Sequence, residues 1–338
     1  LNFSFSGINA GYTMKVAVTG ASGHIGSSLV RQLIREGHRV RVLYYQDNRG
    51  FEGLPVETIP GSMNDRDVLV RLVTGMDIVF HLAAQISING KNDKRLLDKN
   101  IEGTRNIIEA IHRTGKMRLI HFSSIHALEH EPLDQLMDEH RPLAVTDPIY
   151  YTQSKAHSEQ IVLEAVANGL DAVILNPTAV IGPFDFKPSL LGQAIVRFYK
   201  GRLPALIPGG YDWVDVRDVV QAAISAMKKG ETGKRYILSG EWKTIKTLGQ
   251  LVEQMGGRKI PFIRAPFWLA MVALPLFRLL AWLSGRTPLY TYESLHIIKN
   301  GNPTISNSLA RKELDYQSRS FEGTVRDTLA WYRENGYL

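Results

Sequence analysis

The chain has 338 residues, 44% hydrophobic and 22% charged, which suits a folded protein with a sizeable core and excludes a mainly disordered one. It contains no cysteine, so disulfides, zinc–thiolate sites, iron–sulfur clusters and thiol nucleophiles are excluded. Forty basic against 33 acidic residues leave a charge of +7, scattered without a basic tail or aromatic–basic interleaving, so a nucleic-acid partner is not expected.

The first 13 residues are uncharged and lack the apolar run of a secretory signal. Met14 is the expected start of the fold, preceded by a tag remnant or a disordered extension, and a cytoplasmic location is expected. From there strand and helix patterns alternate. KVAVT (15–19) reads as a strand, 24–36 as a helix with Ile25, Leu29, Leu33 and Ile34 on one face, 39–44 and 56–59 as strands, and 65–73 as a helix. A buried strand over 76–83, a long helix over 94–114, a strand over 117–124, a helix over 148–168 and a strand over 171–177 complete the series. Apolar strands separated by amphipathic helices imply an α/β fold, a doubly wound parallel sheet whose ligands sit at the carboxyl ends of the strands.

After Pro177 glycines and prolines become dense and the elements shorten. Residues 14–177 are therefore expected to form a dinucleotide-binding domain and 178–338 a smaller C-terminal substrate lobe. Segments within 211–240, WVDV (213–216) and RYILSG (235–240), are expected to return to the main sheet or its edge. The most apolar run, 265–277, has 13 residues and two prolines, whereas a membrane span needs about 20. We read it as a core or pocket helix, with surface association to a membrane as the alternative and no integral membrane segment.

The first strand runs into TGASGHIG, with Gly20, Gly23 and Gly26. A sharp turn that admits a pyrophosphate and opens a helix needs glycine at such positions, and the free amides and dipole of the helix favour anions. Its place between the first strand and first helix is the context a dinucleotide-binding turn requires, and Ser22, His24 and Ile25 belong to the same turn. Further marks follow in order: HLAA (81–84), Asn100 in NIEGT, FSS (122–124) and Tyr151-x-x-x-Lys155. Together they resemble the short-chain dehydrogenase/reductase family, extended branch, over nearly all of residues 14–338.

The resemblance implies a Rossmann-type fold and an NAD(P) cofactor lying along the strand ends. Its contacts would come from the glycine turn, Tyr45, Arg49, Ser62, Met63, Leu82, Ala83, Ala84, Asn100, Ser123, Tyr151, Lys155, Pro177 and Val180. Ser62 and Met63 stand where the family often has Asp-Leu. A phenol is a poor base at neutral pH, its pKa being near 10. Lys155, one turn on, is expected to lower that value, and by the resemblance to bond the nicotinamide ribose. Ser124 would polarise a substrate carbonyl while Tyr151 exchanges a proton with its oxygen. At the end of the second strand stand Tyr44 and Tyr45 instead of an acid, with Arg49 nearby. That leans toward NADP; NAD held through Asp47 is the alternative.

The segment 176–189 and the C-terminal region look most like dihydroflavonol-reductase-type proteins, a subgroup that includes hopanoid-associated sugar epimerases. Tyr211 and, near the second position, His296 or Lys299 stand where sugar epimerases carry diphosphate-binding arginines, which argues against a nucleotide sugar. The leading expectation is an NAD(P)H-dependent oxidoreductase interconverting a carbonyl and an alcohol on a small, mainly apolar molecule. A nucleotide-sugar epimerase with tightly bound NAD, or a catalytically silent binding module, is the alternative. Gln85, Ser87, His126, Asn176, Phe184 and Trp213 are expected to line the substrate pocket. His126 could exchange protons or merely shape the pocket, and Asn176 could equally hold the sheet end. No metal is expected, because His81, His112, His121 and His140 lack ligand spacing with acids. Family dimers suggest a homodimer through the helices beginning near Lys94 and Pro148.

Overall fold

The computed structural model describes residues 13–85, 93–203, 205–261, 265–283 and 290–338. The first 12 residues and Ser87, each the subject of an expectation above, lie outside them. β1 (Lys15–Thr19), α1 (His24–Arg35), β2 (Arg39–Tyr44), β3 (Glu57–Pro60), α2 (Arg66–Val73), β4 (Ile78–His81), α3 (Lys94–Thr114), β5 (Arg118–Phe122), α4 (Tyr150–Ala167) and β6 (Ala172–Pro177) alternate as the periodicity predicts. Then come β7 (Ala179–Ile181), α5 (Leu190–Tyr199), β8 (Gly210–Asp215), α6 (Val216–Lys229), β9 (Arg235–Leu238) and β10 (Glu241–Thr244). The chain ends with α7 (Ile245–Gln254), α8 (Phe267–Leu283), α9 (Tyr292–Asn300), α10 (Ser308–Leu314) and α11 (Phe321–Glu334).

Seven strands form one parallel sheet in the order β3-β2-β1-β4-β5-β6-β9. Strand alternation divides its side chains between two cores. Val16, Val18, Ile78, Phe80, Ile120 and Phe122 face α1 and α6, whereas Ala17, Val79 and Leu119 face α2, α3 and α4. Both faces being covered, the strands read as nearly continuous apolar runs. The order reverses at β1, so the crevice between the carboxyl ends of β1 and β4 is the natural ligand position.

RYILSG supplies β9 at the edge of the main sheet, as expected. WVDV does not return there. It belongs to β8, the centre of a separate sheet β10-β8-β7, because Trp213 is drawn into a second core with Ile195, Phe198, Phe321 and Leu329. The apolar run at 265–277 forms most of α8. One side covers a small cluster of Ile207, Tyr290 and Leu295, while the other side is open, contrary to a fully buried helix. Among the described residues no helix is long and apolar enough to cross a membrane.

Candidate active site at the strand ends

The glycine turn is shaped by close backbone approach. Gly20 has φ +73°, and a Cβ there would lie 2.8 Å from the Ala83 nitrogen; one on Gly26 would lie 2.1 Å from the Gly20 carbonyl oxygen. Gly23 stands at the N-cap of α1 with no side-chain cap and no acid in the first turn, so the amides there remain available to an anion. These features fit the pyrophosphate of a dinucleotide. Ser22 is half-buried in the turn. His24 instead uses its ring: Nε2 lies 3.0 Å from the Pro183 carbonyl, tying the turn to the start of the C-terminal lobe. The Gly50 backbone closes on Ser22 from the other side.

Beyond β2, Tyr45 is 71% exposed. Arg49 grips Asp47 with a fork, Nε to Oδ1 at 2.9 Å and Nη2 to Oδ2 at 2.6 Å. The pair holds the Asp47 carboxyl below its ordinary range, chiefly through that hydrogen bond. Past β3, Ser62 accepts from the Asn64 amide at 3.3 Å, and Met63 packs over Gly103 with its carbonyl taken by Asn106 at 3.0 Å. After β4, Leu82 and Ala83 donate their amides to the carbonyl and hydroxyl of Thr19, each at 3.2 Å, which holds the β1–β4 crevice in register; Ala84 is exposed.

Asn100 ties three parts together: it accepts from the Gln85 amide at 2.7 Å and donates to the Gln85 carbonyl and the Ser154 hydroxyl, both at 3.0 Å. Gln85 is thus held by its backbone while its side chain is exposed. Ser123 is buried, its amide donating to Leu175 at 2.8 Å. Ser124 caps the short 3₁₀ turn Ile125–Ala127, accepting from the His126 amide at 3.2 Å. Tyr151 lies on the first turn of α4, close enough to Ser124 for that side chain to act on its phenol. Pro177 ends β6, and Val180 follows on β7 against Val214.

The expected electrostatics of the Tyr-Lys pair need correction. Burial pushes the Tyr151 phenol above its ordinary pKa, and the Ser124 side chain offsets only part of that. Lys155 is directed elsewhere: its ammonium donates to the Phe122 carbonyl at 2.9 Å. Burial lowers its own pKa to about 8, opposed by Glu159 one turn further along α4. The desolvation that acts on both groups therefore outweighs any acidification of the phenol by the ammonium. Beneath them His81 and His121, partners across β4 and β5, lie with tilted rings whose centroids are 5.4 Å apart and are held neutral by burial.

Sequence reasoning missed a buried strut. Glu159 is fully buried and meets the Arg235 guanidinium from β9 at 2.8 Å. Asn176 bridges that carboxylate at 2.9 Å to the Ser124 carbonyl at 3.0 Å. Asn176 is thus a positioning residue under Ser124, its Nδ2 taken up by the two bonds. Glu159 could have been found from its place one turn after Lys155; its partner on β9 leaves no local signal.

His126 does border a cavity next to Ser124, with His130, Thr178, Tyr211, Asp212, Trp242, Ile297 and Asn302 among its walls. Its Nδ1 lies 3.1 Å from the His130 Nε2, and burial lowers the two rings to about 3 and about 4, so both are neutral at pH 7. Phe184 and Trp213 are not there. Trp213 is buried in the small-lobe core, its indole donating to Lys243 at 2.9 Å. Phe184 packs with Phe186 and Trp331 under the Arg31 guanidinium, on the α1 side. Their aromatic area fills the second core, which sequence alone could not separate from pocket surface.

Residues 16–239 match the model of the NAD dependent epimerase/dehydratase family. The chain is 37% identical to sterol demethylase protein B of Methylococcus capsulatus, over 96% of this chain and all of that one. It is 32% identical to a putative dihydroflavonol 4-reductase of Synechocystis, over 95% of each chain. Among solved structures, gox2253 superposes with a TM-score of 0.82 at 32% identity, covering 96% of this chain and all of gox2253.

Proposed function

The chain belongs to the NAD-dependent epimerase/dehydratase family, and on that premise we propose that it is an NAD(P)H-dependent oxidoreductase interconverting a carbonyl and an alcohol on a small, mainly apolar substrate. The observation that carries this reading is the placement of the Tyr151 phenol, on the first turn of α4, beside Ser124 at the carboxyl end of β5. A phenol whose pKa is raised stays protonated at neutral pH, which suits a proton donor to a carbonyl oxygen. Ser124 would orient that oxygen, and Lys155, whose ammonium donates to the Phe122 carbonyl, would hold the nicotinamide ribose. When bound, the nicotinamide supplies or accepts the hydride. The turn from Gly20 to Gly26 and the amides of α1 would hold the pyrophosphate, with Leu82, Ala83 and Asn100 along the crevice.

Three observations refine the reading. The small cavity beside His126 carries Asp212 and no lysine or arginine among its described walls, which supports a substrate without a diphosphate. Its isoleucines, Tyr211 and Trp242 favour an apolar guest. Arg49 occupies Asp47, which takes that carboxylate away from ribose hydroxyls and supports NADP(H) as the preferred form. The names of the sterol and dihydroflavonol relatives agree with a ring-containing apolar substrate. The test is oxidation of NADPH against a panel of apolar ketones, with cofactor content of the purified protein measured in parallel. Steady consumption of added NADPH is expected. Bound NAD that co-purifies, no consumption of NADPH and conversion of a nucleotide sugar would replace this reading with the epimerase.

A further inference from the structure

We propose that the outer face of α8 docks on an anionic lipid bilayer surface, seating the protein on the membrane without crossing it. Six large apolar side chains on this helix are exposed: Trp268, Leu269, Val272, Leu276, Leu279 and Leu283, with Val272 at 70%, Leu283 at 67% and Trp268 at 65%. At about 100° per residue they fall within about 100° of arc, a continuous stripe roughly 22 Å long. The opposite side, with Phe267, Ala270, Met271, Leu274 and Phe277, already packs on Tyr290 and Leu295. A helix apolar on both sides belongs between two apolar media. One is the protein, and a stripe of this extent marks an interaction site.

Charge selects the second medium. Residues 253–299 hold six lysines and arginines against two glutamates, Glu253 and Glu293. Arg258 and Lys259 are exposed, and the exposed Lys299 lies 5.3 Å over the Phe267 ring at the start of the helix. An apolar stripe bearing a tryptophan, with the exposed cations Arg258, Lys259 and Lys299 in the segments before and after it in the chain, is complementary to acyl chains beneath anionic headgroups. A second copy of the chain would bring the same cations against themselves, so it fits less well. Behind α8, α9 contributes Ile297 to the cavity beside His126, so docking here sets the cavity next to the bilayer.

The test uses the full chain in a flotation assay with vesicles of phosphatidylcholine alone, or with about a third phosphatidylglycerol. The protein is expected to float with the anionic vesicles, less with neutral ones, and less as salt rises. V272E/L276E should weaken binding at least about tenfold, and R258Q/K259Q at least about fivefold. Both pairs are exposed, so the melting temperatures should stay near wild type, which separates lost docking from lost folding. Failure to float, or flotation unchanged by V272E/L276E, overturns the proposal. So does a dimer in sedimentation velocity that V272E/L276E splits while no vesicle is bound, which would assign the stripe to a second copy. No turnover is read, so the outcome is independent of the reaction proposed above.

Discussion

Glu159→Gln is the most informative perturbation of the scaffold under the active site. The substitution keeps the side chain's size and removes its charge, leaving the Arg235 guanidinium, whose side chain is 15% exposed, without a counter-ion. Breaking one partner of a buried pair costs about 3–5 kcal/mol. Arg235 also donates to the carbonyls of Glu139 at 3.4 Å and Arg141 at 3.2 Å, so it keeps some partners and the lower end, about 3 kcal/mol, applies. For a chain of this size that is a fall in melting temperature of about 4 °C. Glu159→Gln also leaves a single carbonyl oxygen to serve both Arg235 and Asn176, which loosens the hold of Asn176 on the Ser124 carbonyl, so kcat should fall more than KM rises. Thermal melts of Glu159→Gln, Arg235→Met and the double variant form a cycle whose coupling should reach about 2 kcal/mol. A Glu159→Gln protein within about 0.5 kcal/mol of wild type, or strictly additive variants, would refute the strut.

Three further outcomes follow from the site. Gly26→Ala places a Cβ 2.1 Å from a backbone carbonyl and should weaken dinucleotide binding in calorimetry by at least about tenfold, whereas Gly23→Ala, at 3.3 Å, should be milder. Lys155 titrates near 8 in the folded chain and near 10.4 when unfolded, so its burial destabilises fully below pH 8 and the penalty is relieved as pH rises to about 10.4. In denaturant titrations the stability of Lys155→Met relative to wild type should therefore fall by about 3 kcal/mol between pH 7 and pH 10.5, and an unchanged difference would contradict this. Asp47→Asn frees the Arg49 fork and should raise the ratio of NADP(H) to NAD(H) affinity by about tenfold, while Arg49→Gln should lower it.

Much of this architecture is legible in the chain. Strands β1 and β2, helix α3 and the glycine turn fall where apolar period and turn chemistry put them, because local pattern and the buried parallel sheet make the same demand. Strand β3 shifts by one residue, an edge effect with little burial to fix it. What pattern could not give is which apolar surface a residue meets. Trp213 and Phe184 read as pocket aromatics and are small-lobe packing; α8 reads as a core helix and leaves one face bare. The phenol's electrostatics also escaped. Spacing puts Lys155 one turn from Tyr151, but burial and the Phe122 carbonyl decide what each group does. Long-range partners such as Arg235 for Glu159 have no signature in either local segment.

The central claim is that the Tyr151 hydroxyl delivers the proton to the substrate oxygen from its place against Ser124. Tyr151→Phe, assayed for NADPH-dependent ketone reduction beside calorimetric cofactor binding, tests it most directly. The account predicts turnover reduced by about 10²–10⁴-fold with cofactor affinity unchanged. Turnover within a few-fold of wild type would contradict it.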